Sequence, residues 1–129
     1  MVLDILISQG DIIDIFFHPS LKIIAPERLM VEFEQNYAEV AAKSKLSADK
    51  LKELEHDLLS QIEFFNNSNY RNLFAAAREL LKGHTKDEDF VALHLLTKSK
   101  IWTYEARLFK IGVAISTKEL AHELKKEYK

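Results

Sequence analysis

The sequence predicts an α/β fold: three layers, a mainly parallel sheet flanked by helices, and a protruding helical hairpin. Three observations point there. Aliphatic runs at residues 21–25, 101–103 and 113–115 lack the strict polar alternation of a half-exposed strand. Between them lie stretches with apolar residues at helical spacing, the pattern of helices covering a sheet. The chain has 129 residues, with only three glycines and two prolines, so connections are short and there is room for one core. A single domain over residues 1–129 is expected, with the three aliphatic runs sharing its sheet.

The elements follow in order. Pro19 and Ser20 break the first segment, and Leu21, Lys22, Ile23, Ile24 and Ala25 read as a short buried strand. Pro26 suits the first turn of a helix, where its missing N–H costs nothing. Leu29, Phe33, Tyr37 and Val40 then recur at helical spacing to about Lys43. Ser47 can cap a second helix with Leu51, Leu54, Leu58 and Leu59 on one face, and the two helices form a hairpin. Residues 62–65 read either as a short strand or as a helix end, stopped by Asn66 and Asn67. Ser68 or Asn69 caps a helix that turns Leu73, Ala77, Leu80 and Leu81 inward and ends at Gly83. Phe90, Leu93, His94 and Thr97 define a stripe of the next helix. Ser116 and Glu119 form a capping box opening the last one.

Composition excludes several classes of function. The longest uninterrupted apolar run, residues 73–77, is far shorter than the ~20 residues of a membrane span. The N-terminus carries no basic residue before its apolar stretch and no small-residue cleavage site, so a secretory signal is not expected and a cytoplasmic location is. With no cysteine, there are no disulfides, thiolate metal sites or cysteine nucleophiles. A net charge of -2 supplies no general attraction to nucleic acid, which leaves local patches or a bound cation. Lys118, Lys125, Lys126 and Lys129 read as a solvated helix face.

The remaining chemistry belongs to carboxylates, histidines and hydroxyls. His18, His56, His84, His94 and His122 show no metal-binding spacing, and His94, in an apolar stripe, reads as a hydrogen-bonded boundary residue. There is no glycine-rich phosphate loop and no G-x-S-x-G. Three acids stand near predicted strand ends. Glu32 flanks Phe33 at the edge of a buried helical face, Asp87 lies one turn before Phe90, and Glu105 follows the strand at 101–103. Each alone suits a solvated or capping residue, and Asp87 or Asp89 can simply cap the helix it opens. Three together suggest a divalent cation, because like charges held close repel unless a cation sits among them.

Three blocks carry a resemblance to the PIN-domain family, ribonuclease-like proteins that include the toxins of many toxin–antitoxin pairs. Ile24, Ala25, Pro26 and Glu27, with Leu29 and Glu32, are similar to a strand-to-helix passage whose helical glutamate is a metal-site acid. The run from Lys86 through Asp87 and Phe90 to Leu95 resembles the block holding the second acid, which the resemblance places at Asp87. Ile101, Trp102, Thr103, Tyr104 and Glu105, followed by residues 111–120, are similar to the last strand pair. The resemblance covers about residues 11–124, most specifically in the C-terminal third. It is closest to free-standing prokaryotic PIN proteins.

The resemblance implies a metal-dependent endoribonuclease. Asp87, Glu32 and Glu105 are then both catalytic and metal-holding, Asp4 is a further metal ligand, Mg²⁺ or Mn²⁺ is the cofactor, and Thr103 binds substrate. It also implies RNA as substrate and an antitoxin-like protein as possible partner. Two departures stand out. Tyr104 and Glu105 replace the Asn or Gly and then Asp that follow the threonine in the family. The opening Asp-Thr-Asn strand, whose aspartate is central to the metal site, has no match. Residues 1–4 are that strand with Asp4 as ligand, or the chain begins inside the family's first helix, or an in-frame V-x-D-T-N is encoded upstream of Met1. Weak or absent nuclease activity follows as the expectation, and a non-catalytic domain that binds a protein or RNA partner is the alternative. A homodimer is also expected, since the helical hairpin of residues 27–60 is long for a domain this size and projects partly apolar surface, and Phe16, Phe17, Phe64 and Phe65 offer more apolar area than a short strand covers.

Overall fold

The structure, a computed structural model, describes residues 12–126. Asp4, the expected strand at 1–4 and Lys129 lie outside them. The described chain opens with helix α1 (Ile12–Phe16), strand β1 (Ile23–Pro26), helices α2 (Arg28–Lys43) and α3 (Ala48–Ser60), and strand β2 (Ile62–Phe65). It continues through two 3₁₀ turns into α4 (Phe74–Leu81) and, after a third, α5 (Glu88–Thr97). Strand β3 (Ile101–Trp102), α6 (Ala106–Lys110), β4 (Ala114–Ile115) and α7 (Thr117–Lys126) complete it.

β1 pairs parallel with β2 in the register Ile23 to Ile62 through Pro26 to Phe65, across the crossover made by α2 and α3. β3 pairs parallel with β4, Ile101 to Ala114 and Trp102 to Ile115, across the short α6. Among the described residues these are two separate two-stranded sheets, so the three aliphatic runs do not share one sheet as expected. The strands are also shorter than the aliphatic runs that suggested them. Thr103 continues the β3 pairing with one bond, from its N–H to the Ile115 carbonyl at 3.4 Å, before the chain turns away.

Local chemistry explains most element boundaries. Ser47 accepts from the Lys50 N–H at 3.3 Å and caps α3, as expected. Ser116 and Glu119 cap each other's backbone at the start of α7: the Glu119 N–H donates to Ser116 Oγ at 3.0 Å, and the Ser116 N–H donates to Glu119 Oε1 at 3.2 Å. Pro26 ends β1 instead of entering the first turn of α2, because the Glu27 N–H still reaches across to the Phe65 carbonyl at 3.1 Å and holds the chain extended. The cap expected at Ser68 or Asn69 falls at Asn66, whose side chain accepts from the Ser68 N–H at 2.9 Å and opens a 3₁₀ turn. The α-helix therefore starts later, at Phe74, and Leu80 turns to solvent at 37% exposure. That helix closes on Lys82 in the left-handed conformation, φ 50°, with Gly83 following at φ 90°.

Two apolar clusters result. The first joins Phe16, Ala25, Phe33, Val40, Leu51, Leu58 and Ile62, so α2 and α3 pack on β1 and β2. The second gathers Tyr70, Ala77, Leu81, Val91, Ala92, Leu93, Leu108 and Val113 around α5. Phe16 is buried, Phe17 and Phe64 pack against the first cluster and Phe65 against the second. Of the four phenylalanines, only Phe16 is fully buried, and the other three stay partly exposed. No helix among the described residues is long and apolar enough to cross a membrane.

Candidate active site

A cleft of about 510 Å³ opens between β1 and β3 and is floored by apolar side chains including Phe16, Ile23 and Trp102. Glu32, Asp87, Lys86 and His94 supply charged or titratable side chains to its wall, and Thr103 also lines it. The fold brings them together from separate elements. Glu32 sits in the second turn of α2, immediately before buried Phe33, which turns it toward the core edge. Asp87 occupies the position before α5, whose buried Val91, Ala92 and Leu93 anchor that helix in the second cluster.

Asp87 does not cap α5: its side chain makes no capping hydrogen bond, which removes the bland explanation of its presence. Burial pushes its carboxyl above the ordinary aspartate range, and the charge of Glu105 pushes the same way against the opposing pull of Lys86 and Arg107. Burial likewise raises Glu32. Arg28 lowers it, Asp87 raises it and Lys86 lowers it. Asp87 is therefore the middle member of the acid set, within electrostatic reach of Glu32 on one side and Glu105 on the other.

Glu105 is exposed, stands before α6 without capping it, and does not line the cleft. Its backbone N–H donates to Thr103 Oγ1 at 3.0 Å, so Thr103 shapes the turn that presents it. Asp4 lies outside the described residues. Among the described residues no group of three acids or histidines is close enough to hold one metal ion. The donor chemistry still fits a hard cation, since two half-buried carboxylates face one cleft and repel each other there.

His94 matches its reading as a hydrogen-bonded boundary residue: Nδ1 donates to the Ser99 carbonyl at 2.6 Å. Sequence reasoning missed the cations beside the acids. Arg28 precedes Glu32 by one helical turn, and Lys86 directly precedes Asp87, so both signals were present at i, i+4 and i, i+1. It also missed Tyr70, whose hydroxyl donates to Asp89 at 2.8 Å in the first turn of α5.

With this geometry in view, comparison with protein families is informative. A family model described as PIN domain matches residues 1–126, and the chain belongs to that family. A nuclease-like α/β fold follows from that membership. No curated protein and no solved structure matches the chain.

Proposed function

We propose that this PIN domain is a metal-dependent endoribonuclease of low turnover, with a three-layer arrangement, in which Asp87 and Glu32 begin a site for Mg²⁺ or Mn²⁺ that Glu105 and Asp4 complete when the ion binds. The observation that carries the reading is the meeting of Glu32 and Asp87 in one cleft, both with carboxyls raised by burial. Bound there, the ion supplies an acidified water and offsets charge on the cleaved phosphate. The chain's own part is to present hard oxygen donors. Asp87 holds the centre, Glu32 is fixed by the burial of Phe33 beside it, and Glu105 is steered by Thr103. The Thr103 hydroxyl uses one lone pair on the Glu105 N–H and keeps its proton to donate to a phosphate oxygen.

Low turnover follows from the looseness of the third corner. Glu105 is exposed and makes no cap, and its side chain is one methylene longer than the aspartate that the family resemblance leads one to expect. A misplacement of about 1 Å can cost about 100-fold in a reaction that depends on positioning. The same looseness favours a second reading, a domain that binds a protein or RNA partner without cutting.

Hydrolysis of a fluorescent single-stranded RNA with Mn²⁺ tests the proposal on the wild type, Asp87→Asn and Asp4→Asn. Slow cleavage that falls at least about 100-fold in Asp87→Asn is the expected result, given what positioned groups contribute. A further loss in Asp4→Asn assigns Asp4 to the metal. No cleavage together with no calorimetric Mn²⁺ binding overturns the proposal and leaves the partner-binding reading.

A further inference from the structure

One aromatic side chain stands at the lip of the cleft without being part of its lining. Tyr104 follows Thr103, which does line the cleft, and precedes Glu105. It is 62% exposed, more than any other large apolar side chain among the described residues, and no other ring there packs on it. Single exposed apolar residues are ordinary on a protein surface. Tyr104 differs in being held at its tip. The Trp102 indole N–H donates to Thr117 Oγ1 at 2.9 Å, and that hydroxyl directs its own proton to the Tyr104 phenol oxygen at 3.4 Å. Trp102 belongs to the cleft floor, so two hydrogen bonds run from the floor to the exposed ring.

We propose that Tyr104 is a platform on which one unpaired base stacks, and that Thr117 is the residue positioning its ring, so that the domain selects single strands over duplexes. The inference rests on the nuclease reading for RNA as the ligand and adds the feature of the strand that is read. Tyrosine offers a flat apolar ring with few rotatable bonds, and fixing its hydroxyl removes much of the freedom that stacking would otherwise have to freeze. Every base presents a π-face of matching size once it is out of a helix, whereas a paired base has its faces covered by its neighbours. A chain of net charge -2 gives no general Coulombic hold on a strand, and stacking needs none. The position also follows from the chain: Tyr104 separates the cleft-lining Thr103 from the acid Glu105 by one residue on either side, so a base stacked on it belongs to a nucleotide at the mouth.

Fluorescence anisotropy tests this with three labelled probes of equal length: oligouridine, an abasic ribose-phosphate strand of the same charge, and a blunt RNA duplex. Ca²⁺ replaces Mn²⁺ so that nothing is cleaved during the titration. Tyr104→Leu keeps an apolar side chain at an exposed position and removes the ring. It should weaken oligouridine binding about fivefold, the low end of what one stacked base contributes, and leave the other two probes and the salt dependence unchanged. Tyr104→Trp should restore the affinity. Thr117→Val should weaken oligouridine alone, by less than Tyr104→Leu does, and Thr117→Ser should restore it, a pattern that a merely structural role would not give. Equal losses on oligouridine and the abasic strand, no loss in Tyr104→Leu, or no binding of oligouridine by the wild type overturns the proposal. If Tyr104→Leu loses nothing while Asp87→Asn still abolishes Mn²⁺-dependent cleavage, the platform fails and the nuclease reading stands. If oligouridine binding depends on Tyr104 but the wild type does not cleave, the nuclease reading fails and the platform stands.

Discussion

The Tyr70 hydroxyl donates to the Asp89 carboxylate at 2.8 Å and ties the segment after β2 to the first turn of α5, two residues from Asp87. Tyr70 is 1% exposed and packs edge-on against Phe74 with ring centroids 5.5 Å apart, so its ring is core while its hydroxyl meets the first turn of α5. Burial and the Asp89 hydrogen bond both raise its pKa, which keeps the phenol protonated as a donor at every physiological pH. Tyr70→Phe keeps the ring and removes only the donor. A hydrogen bond to a charged group is worth about 1.5–3 kcal/mol, and urea denaturation should show a loss near the lower end because Asp89 is half-exposed. If the bond steadies Asp87, Tyr70→Phe also slows RNA cleavage, by less than Asp87→Asn does.

Thr103→Val tests whether Glu105 depends on its turn. Valine keeps the branched shape and the strand pairing but leaves the Glu105 N–H without its 3.0 Å acceptor. The group is exposed and water replaces the bond, so stability should fall by no more than about 1 kcal/mol. Cleavage should fall further than stability does, because the hydroxyl proton is lost as well. Equal activity in Thr103→Val and wild type, measured on the same RNA, removes Thr103 from the site.

α5 ends at Lys98 in the left-handed conformation, φ 65°, a geometry that disfavours any side chain with a Cβ. The Lys98 N–H donates to the His94 carbonyl at 2.7 Å, so the strained residue also closes the helix that carries His94. Relief of the strain outweighs glycine's greater freedom in the unfolded chain, and Lys98→Gly should raise stability by about 0.5–1 kcal/mol in thermal denaturation.

What the sequence made legible was local. Ser47 and the Ser116–Glu119 pair carry their capping partners within one turn, so spacing alone revealed them. The strands at Ile101 and Ala114 were visible as aliphatic runs, but which strand each one pairs with depends on residues far apart in the chain. The cap at Asn66 is just as local, with its partner Ser68 two residues on, but an asparagine suits the stop of one element and the start of another equally, so spacing alone does not tell them apart. For the acids, type and neighbourhood were legible in Glu32 and Asp87, each standing near an inward residue. That Asp87 is no cap and that Glu105 stays outside the cleft are facts of side-chain direction, which residue spacing does not encode, whereas Arg28 one turn before Glu32 was open to reading.

Glu32 and Asp87 should show in their pH dependence that they are held for function and not for stability. Both carboxyls are raised by burial, so the folded state binds protons that the unfolded chain has already released. Between the unfolded pKa of each group and its raised folded value, stability therefore falls as pH rises, the opposite of a carboxylate in a salt bridge. Above that window the ionised pair is a standing cost. Asp87→Asn and Glu32→Gln should accordingly be neutral or stabilising at pH 7. Both sites keep access to water, and solvent screening holds the gain below ~1 kcal/mol. The same variants should lose Mn²⁺ affinity and cleavage, since an amide supplies no anionic oxygen donor. In the wild type, Mn²⁺ binding followed by calorimetry should weaken on acidification at a pH above the ordinary carboxylate range. Adding Mn²⁺ at pH 7 should raise the melting temperature of the wild type and leave that of Asp87→Asn unchanged. A melting temperature that drops in Asp87→Asn without metal would assign Asp87 a structural bond and separate it from the acid site.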